Sequence, residues 1–146
     1  MPRPLRPQVA GGIYHLASRG VRKLPIFTDA ESRRRFLGLL GETIERYEWE
    51  LHTWCLMTNH FHLLVTTVEP TVSRGMQYLN GCYGQWYDWR HGYEGHVFER
   101  RFWSKLVETD YHLFETARYI VLNPVAPDCA EPRWIGTGVA IERRWG

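Results

Sequence analysis

The chain has 146 residues, of which 44% are apolar and 23% charged, with a formal net charge of +2. That is the size and balance of one ordinary folded domain, and it excludes a disordered chain. No run of about 18 apolar residues occurs, which excludes a helical membrane span.

Residues 1–11 are rich in Pro and Arg and read as an extended basic arm. Residues 12–18 (GIYHLAS) suggest a first strand, closed by an Arg19-Gly20 turn. Asp29 is an N-cap for a helix over 30–47, whose apolar stripe is Phe36, Leu37, Leu40, Ile44 and Tyr47. Residues 51–57 and 60–67 read as two strands of a hairpin with Thr58-Asn59 as its link. A second amphipathic helix over 72–90 shows Val72, Met76, Leu79, Tyr83 and Trp86 on one side. HGYEG reads as a loop, and residues 97–107 as another strand. Thr109 or Asp110 caps a third helix, 110–122, which Pro124 ends. The tail, 127–146, has no clear period and receives no role.

The order β-α-β-β-α-β-α predicts an α+β fold. Its first six elements match the ferredoxin-like, split βαβ pattern: an antiparallel sheet with two helices on one face. The opposite face is left for a site. The three cysteines, Cys55, Cys82 and Cys129, are odd in number and widely spaced, and MPRPLRPQ has no apolar stretch. Both features suit a reducing, cytoplasmic setting.

Two pairs of residues can carry chemistry. His60 and His62 lie two apart on a strand, so they share a face, while Phe61, Leu63 and Val65 point the other way. Adjacent imidazoles make a two-ligand platform for a divalent metal. By itself the pair reads sooner as two histidines on a solvated sheet face. Tyr119 and Asn123 lie four apart on the third helix and share a side, away from Leu113, Ala117 and Ile120. Tyr119 reads as a nucleophile or as a core tyrosine. Taken together, two imidazoles and the Asn123 amide oxygen can hold Mg²⁺ or Mn²⁺ against a phosphate that Tyr119 attacks. A phenol ionises only near pH ~10, so such a tyrosine needs activation. Cys55 falls opposite His62 if the hairpin link is Thr58-Asn59, which offers zinc as another reading. Basic clusters and a 14% aromatic content, including seven tryptophans, suit phosphates and unpaired bases. The candidate nucleic-acid contacts are Arg3, Arg6, Arg19, Arg22, Lys23, Arg101 and Lys105.

MTNHFHLLV resembles the HUH segment (His-hydrophobic-His) of single-tyrosine transposases, and RYIVLNPV resembles their tyrosine-helix segment. YHLASRG, IFTDAESRRRFL and GHVFERRFW are similar to further segments of that group, in the same order. The resemblance spans residues 12–126 and is closest to the REP-associated tyrosine transposases. It implies that His60 and His62 are metal ligands, that Tyr119 is the nucleophile and that Asn123 completes the metal site. It also implies Mg²⁺ or Mn²⁺, a single-stranded DNA hairpin as substrate and a 5′-phosphotyrosine intermediate. Neither a membrane nor a small-molecule cofactor is expected, and a monomer is expected ahead of a homodimer. The group's usual residues are replaced at Thr58, Arg100 and Ala126, with Pro127 following. The implied function is a metal-dependent single-strand DNA endonuclease and transesterase of DNA transposition or REP-element processing. The alternative is a domesticated, non-catalytic hairpin-binding module, related in shape to RNA-recognition domains.

Overall fold

In the computed structural model, which describes residues 10–99 and 101–122, the elements run β1 (Ile13–Arg19), α1 (Ala30–Tyr47), β2 (Trp49–Leu56), β3 (His60–Thr67), α2 (Val72–His91), β4 (Trp103–Val107) and α3 (Asp110–Leu122). The strands form one antiparallel sheet in the order β2-β3-β1-β4. The expected hairpin joins β2 to β3: the Met57 amide donates to the His60 carbonyl at 2.8 Å. The Thr58 carbonyl then accepts from the amides of both Ile26 and Phe27, which ties the hairpin to the segment before α1.

Helix α1 starts where its sequence says it should. The Asp29 carboxylate accepts from the Ser32 amide, and the Ser32 hydroxyl accepts from the Asp29 amide. This reciprocal cap satisfies donors the helix itself leaves unpaired. Its buried side differs slightly from the expected stripe. Leu39 and Thr43 join Phe36 and Leu40 inside, while Leu37, Ile44 and Tyr47 are only partly buried. Thr43 is tolerated there because its hydroxyl donates to the Leu39 carbonyl at 2.8 Å. Helix α2 buries Val72, Gly75, Met76, Leu79, Tyr83 and Tyr87. Gly75 is required by close approach: a Cβ there would lie 2.1 Å from the Trp49 ring.

Alternation along the strands assigns each residue to a face. Tyr14 and Leu16 of β1, Trp54 and Leu56 of β2, and Phe61, Leu63 and Val65 of β3 form the main core with α1 and α2. Burying a side chain of this kind stabilises the fold by about 1.5–3 kcal/mol. The opposite face is partly covered by α3. There Ile120, with Leu113 and Ala117 around it, packs on Cys55, Leu64 and Val107. The Leu113, Ala117 and Ile120 side of α3 is thus its packed side, as expected, and the Thr109 hydroxyl accepts from the His112 amide at its start.

The strand expected over 97–107 is shorter. Regular pairing with β1 begins at Trp103, opposite Ala17. Phe98 instead makes an isolated bridge to Gly20, flanked by bonds from the Val21 amide to the Val97 carbonyl and from the Glu99 amide to the Arg19 carbonyl. The register slips by two residues between these pairings, so one ladder cannot run through both. Among the described residues no helix is long and apolar enough to cross a membrane.

Candidate active site

The phase that sends Phe61 and Leu63 into the core puts His60 and His62 on the other sheet face. Their ring centroids are 5.2 Å apart. In β1, Arg19 pairs with His60 and Ala17 with His62, so the residue directly opposite the second imidazole on that strand is small. Each histidine has its Nδ1 engaged. His60 Nδ1 lies 2.7 Å from the Asn59 side-chain oxygen, and His62 Nδ1 lies 3.0 Å from His15 Nε2. His15 is buried, with Trp103 edge-on at 4.7 Å.

Burial keeps both inner histidines neutral. His62 is pushed down to about 3, by desolvation first and then by His15 and His60. His15 is pushed down to about 4, by desolvation and then by His112 and Lys105. A neutral imidazole is the form that binds metal. Outer partners on Nδ1 are what ligating histidines usually have. This donor chemistry fits a divalent cation held through the two Nε2 atoms. Among the described residues no group of three or more His, Cys, Asp or Glu side chains is placed to hold a metal. Cys55 does sit opposite His62, as the hairpin register required, but it is fully buried beside Leu64, Val107 and Ile120. It belongs to the apolar packing beneath α3, and the zinc reading falls.

Tyr119 stands on α3 and is 54% exposed, although its helix is docked on the sheet. Its ring centroid is 5.8 Å from that of His62 and 6.2 Å from that of His15. It lines a cleft of about 470 Å³ together with His60, His62, Asn59 and Trp103. Of the candidate DNA contacts, Arg19, Lys23 and Arg101 line the same cleft. Arg19 also pairs with Glu99 at 2.8 Å, so part of its charge is already met. Lys23 reaches the cleft from a turn in which Arg22 and Lys23 both take left-handed backbone angles, φ 51° and 62°. Arg22 does not line this cleft, and Lys105 lines a smaller crevice of about 230 Å³ that also includes Tyr119 and Trp103. Asn123, Arg3 and Arg6 lie outside the described residues.

Sequence reasoning missed Asn59, Glu99 and Trp103, and it placed no weight on His15. A signal for His15 was present in the alternation Ile13, His15, Ala17, Arg19, but its face is decided only by pairing with β3. Glu99 meets Arg19 across 80 positions of chain, and no local pattern announces that.

The comparisons with known proteins bear on this geometry. Residues 8–123 match the family model described as Transposase IS200 like. Among curated protein sequences no match is found. Among solved structures the chain resembles a REP-associated tyrosine transposase bound to a REP hairpin, with a TM-score of 0.71 at 17% identity, covering 91% of this chain and 84% of that one. It also resembles a crystal structure from Deinococcus radiodurans R1 of a protein provisionally named a transposase, with a TM-score of 0.56 at 15% identity, covering 82% of this chain and 94% of that one. At such identities these two likenesses concern the fold.

Proposed function

The chain belongs to the IS200-like transposase family, whose members are enzymes of DNA transposition, and from that premise we propose that it cleaves and rejoins single-stranded DNA near hairpins through Tyr119. The observation that carries this reading is the half-exposed Tyr119 ring beside the His62 ring, in a cleft edged by Arg19, Lys23 and Arg101. The REP-associated transposase of like fold is bound to a REP hairpin, which supports a hairpin substrate and a REP-associated assignment here. The element order and the strand order β2-β3-β1-β4 support the ferredoxin-like reading of the sheet. One nuclease domain then spans 12–126, with a basic arm before it and a tail after it.

His60 and His62 would hold Mg²⁺ or Mn²⁺, with Asn123 completing the set. The cation, when bound, supplies Lewis-acid stabilisation of the charge that builds on the phosphate. The Tyr119 hydroxyl gives up its proton and its oxygen attacks phosphorus. The bond from phosphorus to O3′ breaks, and O3′ leaves with the electron pair and takes a proton. The 5′-phosphate stays on Tyr119 and the other strand ends in a 3′-hydroxyl. The phosphoester is conserved, so a 3′-hydroxyl can later attack it and rejoin DNA without ATP. Arg19, Lys23 and Arg101 neutralise phosphates of the strand in the cleft. The placement of Tyr119 beside the histidines of its own chain supports a monomer acting in cis.

The test is cleavage of a labelled single-stranded DNA pool rich in hairpins, with Mn²⁺, with Mg²⁺ and with EDTA. Cleavage is expected only with metal. It is lost in His60→Ala, which still binds the hairpins, and Asn123→Ala needs more metal. Cleavage undiminished in EDTA would contradict the reading, and binding without cleavage in any metal would leave a hairpin-binding module.

A further inference from the structure

We infer that His15 is a positioning residue that holds His62 in the one tautomer able to bind a metal. This rests on the reading of His62 as a ligand. The shared contact is His15 Nε2 to His62 Nδ1, 3.0 Å apart between two buried rings. A bond between two neutral imidazoles needs one N–H and one lone pair. Two arrangements satisfy that. If His15 Nε2 carries the proton, His62 Nδ1 accepts, and the proton of His62 sits on Nε2, where it blocks ligation. If His62 Nδ1 carries the proton, His15 Nε2 accepts, and His62 Nε2 keeps its lone pair. Only the second leaves a metal ligand. For His62 to ligate through Nε2, His15 must carry its own proton on Nδ1 and accept at Nε2.

The surroundings suit such a clamp. His15 is 7% exposed and lies between Leu64 and Lys105 in the strand register. The Trp103 edge at 4.7 Å limits rotation of its ring. Ala17, opposite His62, leaves room for the tilted ring pair, whose centroids are 5.1 Å apart. An imidazole at this depth is costly unless bonded, and an apolar residue would pack there more cheaply. The bond to His62 is what the histidine provides.

Nitrogen-15 NMR of the metal-free protein tests this without any activity assay. The expected result is a protonated Nδ1 and a bare Nε2 on His62, with a coupling through the hydrogen bond to His15 Nε2. A proton on His62 Nε2, or the absence of that coupling, overturns the inference. A Mn²⁺ titration adds a second readout. His15→Phe is expected to move the His62 proton to Nε2 and weaken Mn²⁺ binding about 10- to 100-fold. His15→Gln, which keeps an acceptor at the height of Nε2, restores most of it. Equal Mn²⁺ affinity in wild type and His15→Phe overturns the inference. Wild type that binds no Mn²⁺ at all would sink the metal reading, while the tautomer and the coupling are still read from the metal-free spectra.

Discussion

The two faces of β1 and β3 are built from alternate residues of the same strands, yet they do opposite work. One face carries Tyr14, Leu16, Phe61, Leu63 and Val65 and is sealed by α1 and α2. The other carries His15, Arg19, His60 and His62, and α3 covers only part of it. Covering all of it would shut the cleft, and covering none would leave Leu64 and Val107 in water and Tyr119 without a mount. The apolar patch under α3 is therefore also what holds the tyrosine near the histidines. Chemistry and stability are separated by one residue of strand phase.

That separation can be broken most sharply with neighbouring substitutions. Phe61→Ala removes a fully buried ring and is expected to cost about 3–5 kcal/mol, read from urea unfolding, with cleavage per folded molecule retained. His62→Ala, one position along, is expected to remove metal-dependent cleavage while hairpin binding persists. Loss of both properties in either variant would mean that the faces are not independent. Gly75→Ala drives a methyl group into the Trp49 ring on the sealed side. It should cost about 1–3 kcal/mol in a thermal melt and leave the metal requirement unchanged.

Acid probes the other face. His15 and His62 have folded values of about 4 and about 3, below the ordinary 6.5, so the unfolded chain binds their protons first. Their contribution to stability is complete above pH 6.5 and is lost as pH falls toward 4 and 3. The metal-free protein should therefore weaken steadily between pH 6.5 and 4.5, above the range where carboxylates such as Asp29 titrate. His15→Gln should flatten that slope in urea titrations. An unchanged slope would show that the buried imidazoles are not its source. The smallest effect is expected at the cleft rim. Arg101→Ala should weaken single-strand binding and lower the salt dependence of log K by about 1, with the cleavage position unchanged.

How much of this was legible depended on whether the governing interaction was local. HFHLLV states its own alternation, so the separation of His60 and His62 from Phe61 follows from the sequence alone. The Asp29 cap and the Thr58-Asn59 hairpin are equally local. The packed side of α3 followed from the spacing of Leu113, Ala117 and Ile120. Other features are decided by pairing at a distance. The register slip before Trp103 depends on Gly20 and Phe98 meeting, and the strand was therefore expected too early. The face of His15 depends on β3, and Cys55 could be placed opposite His62 without any sign that α3 would bury it.

The most direct measurement of the central claim is a search for a covalent protein–DNA adduct. Hairpin-bearing single-stranded DNA would be incubated with Mn²⁺ and either wild type or Tyr119→Phe, then denatured before electrophoresis. The account predicts a denaturation-resistant adduct with wild type only, joined to the 5′ end of the cleaved strand through Tyr119. An equal yield of cleaved strands from Tyr119→Phe would contradict it and assign the cleavage to a nucleophile other than the tyrosine.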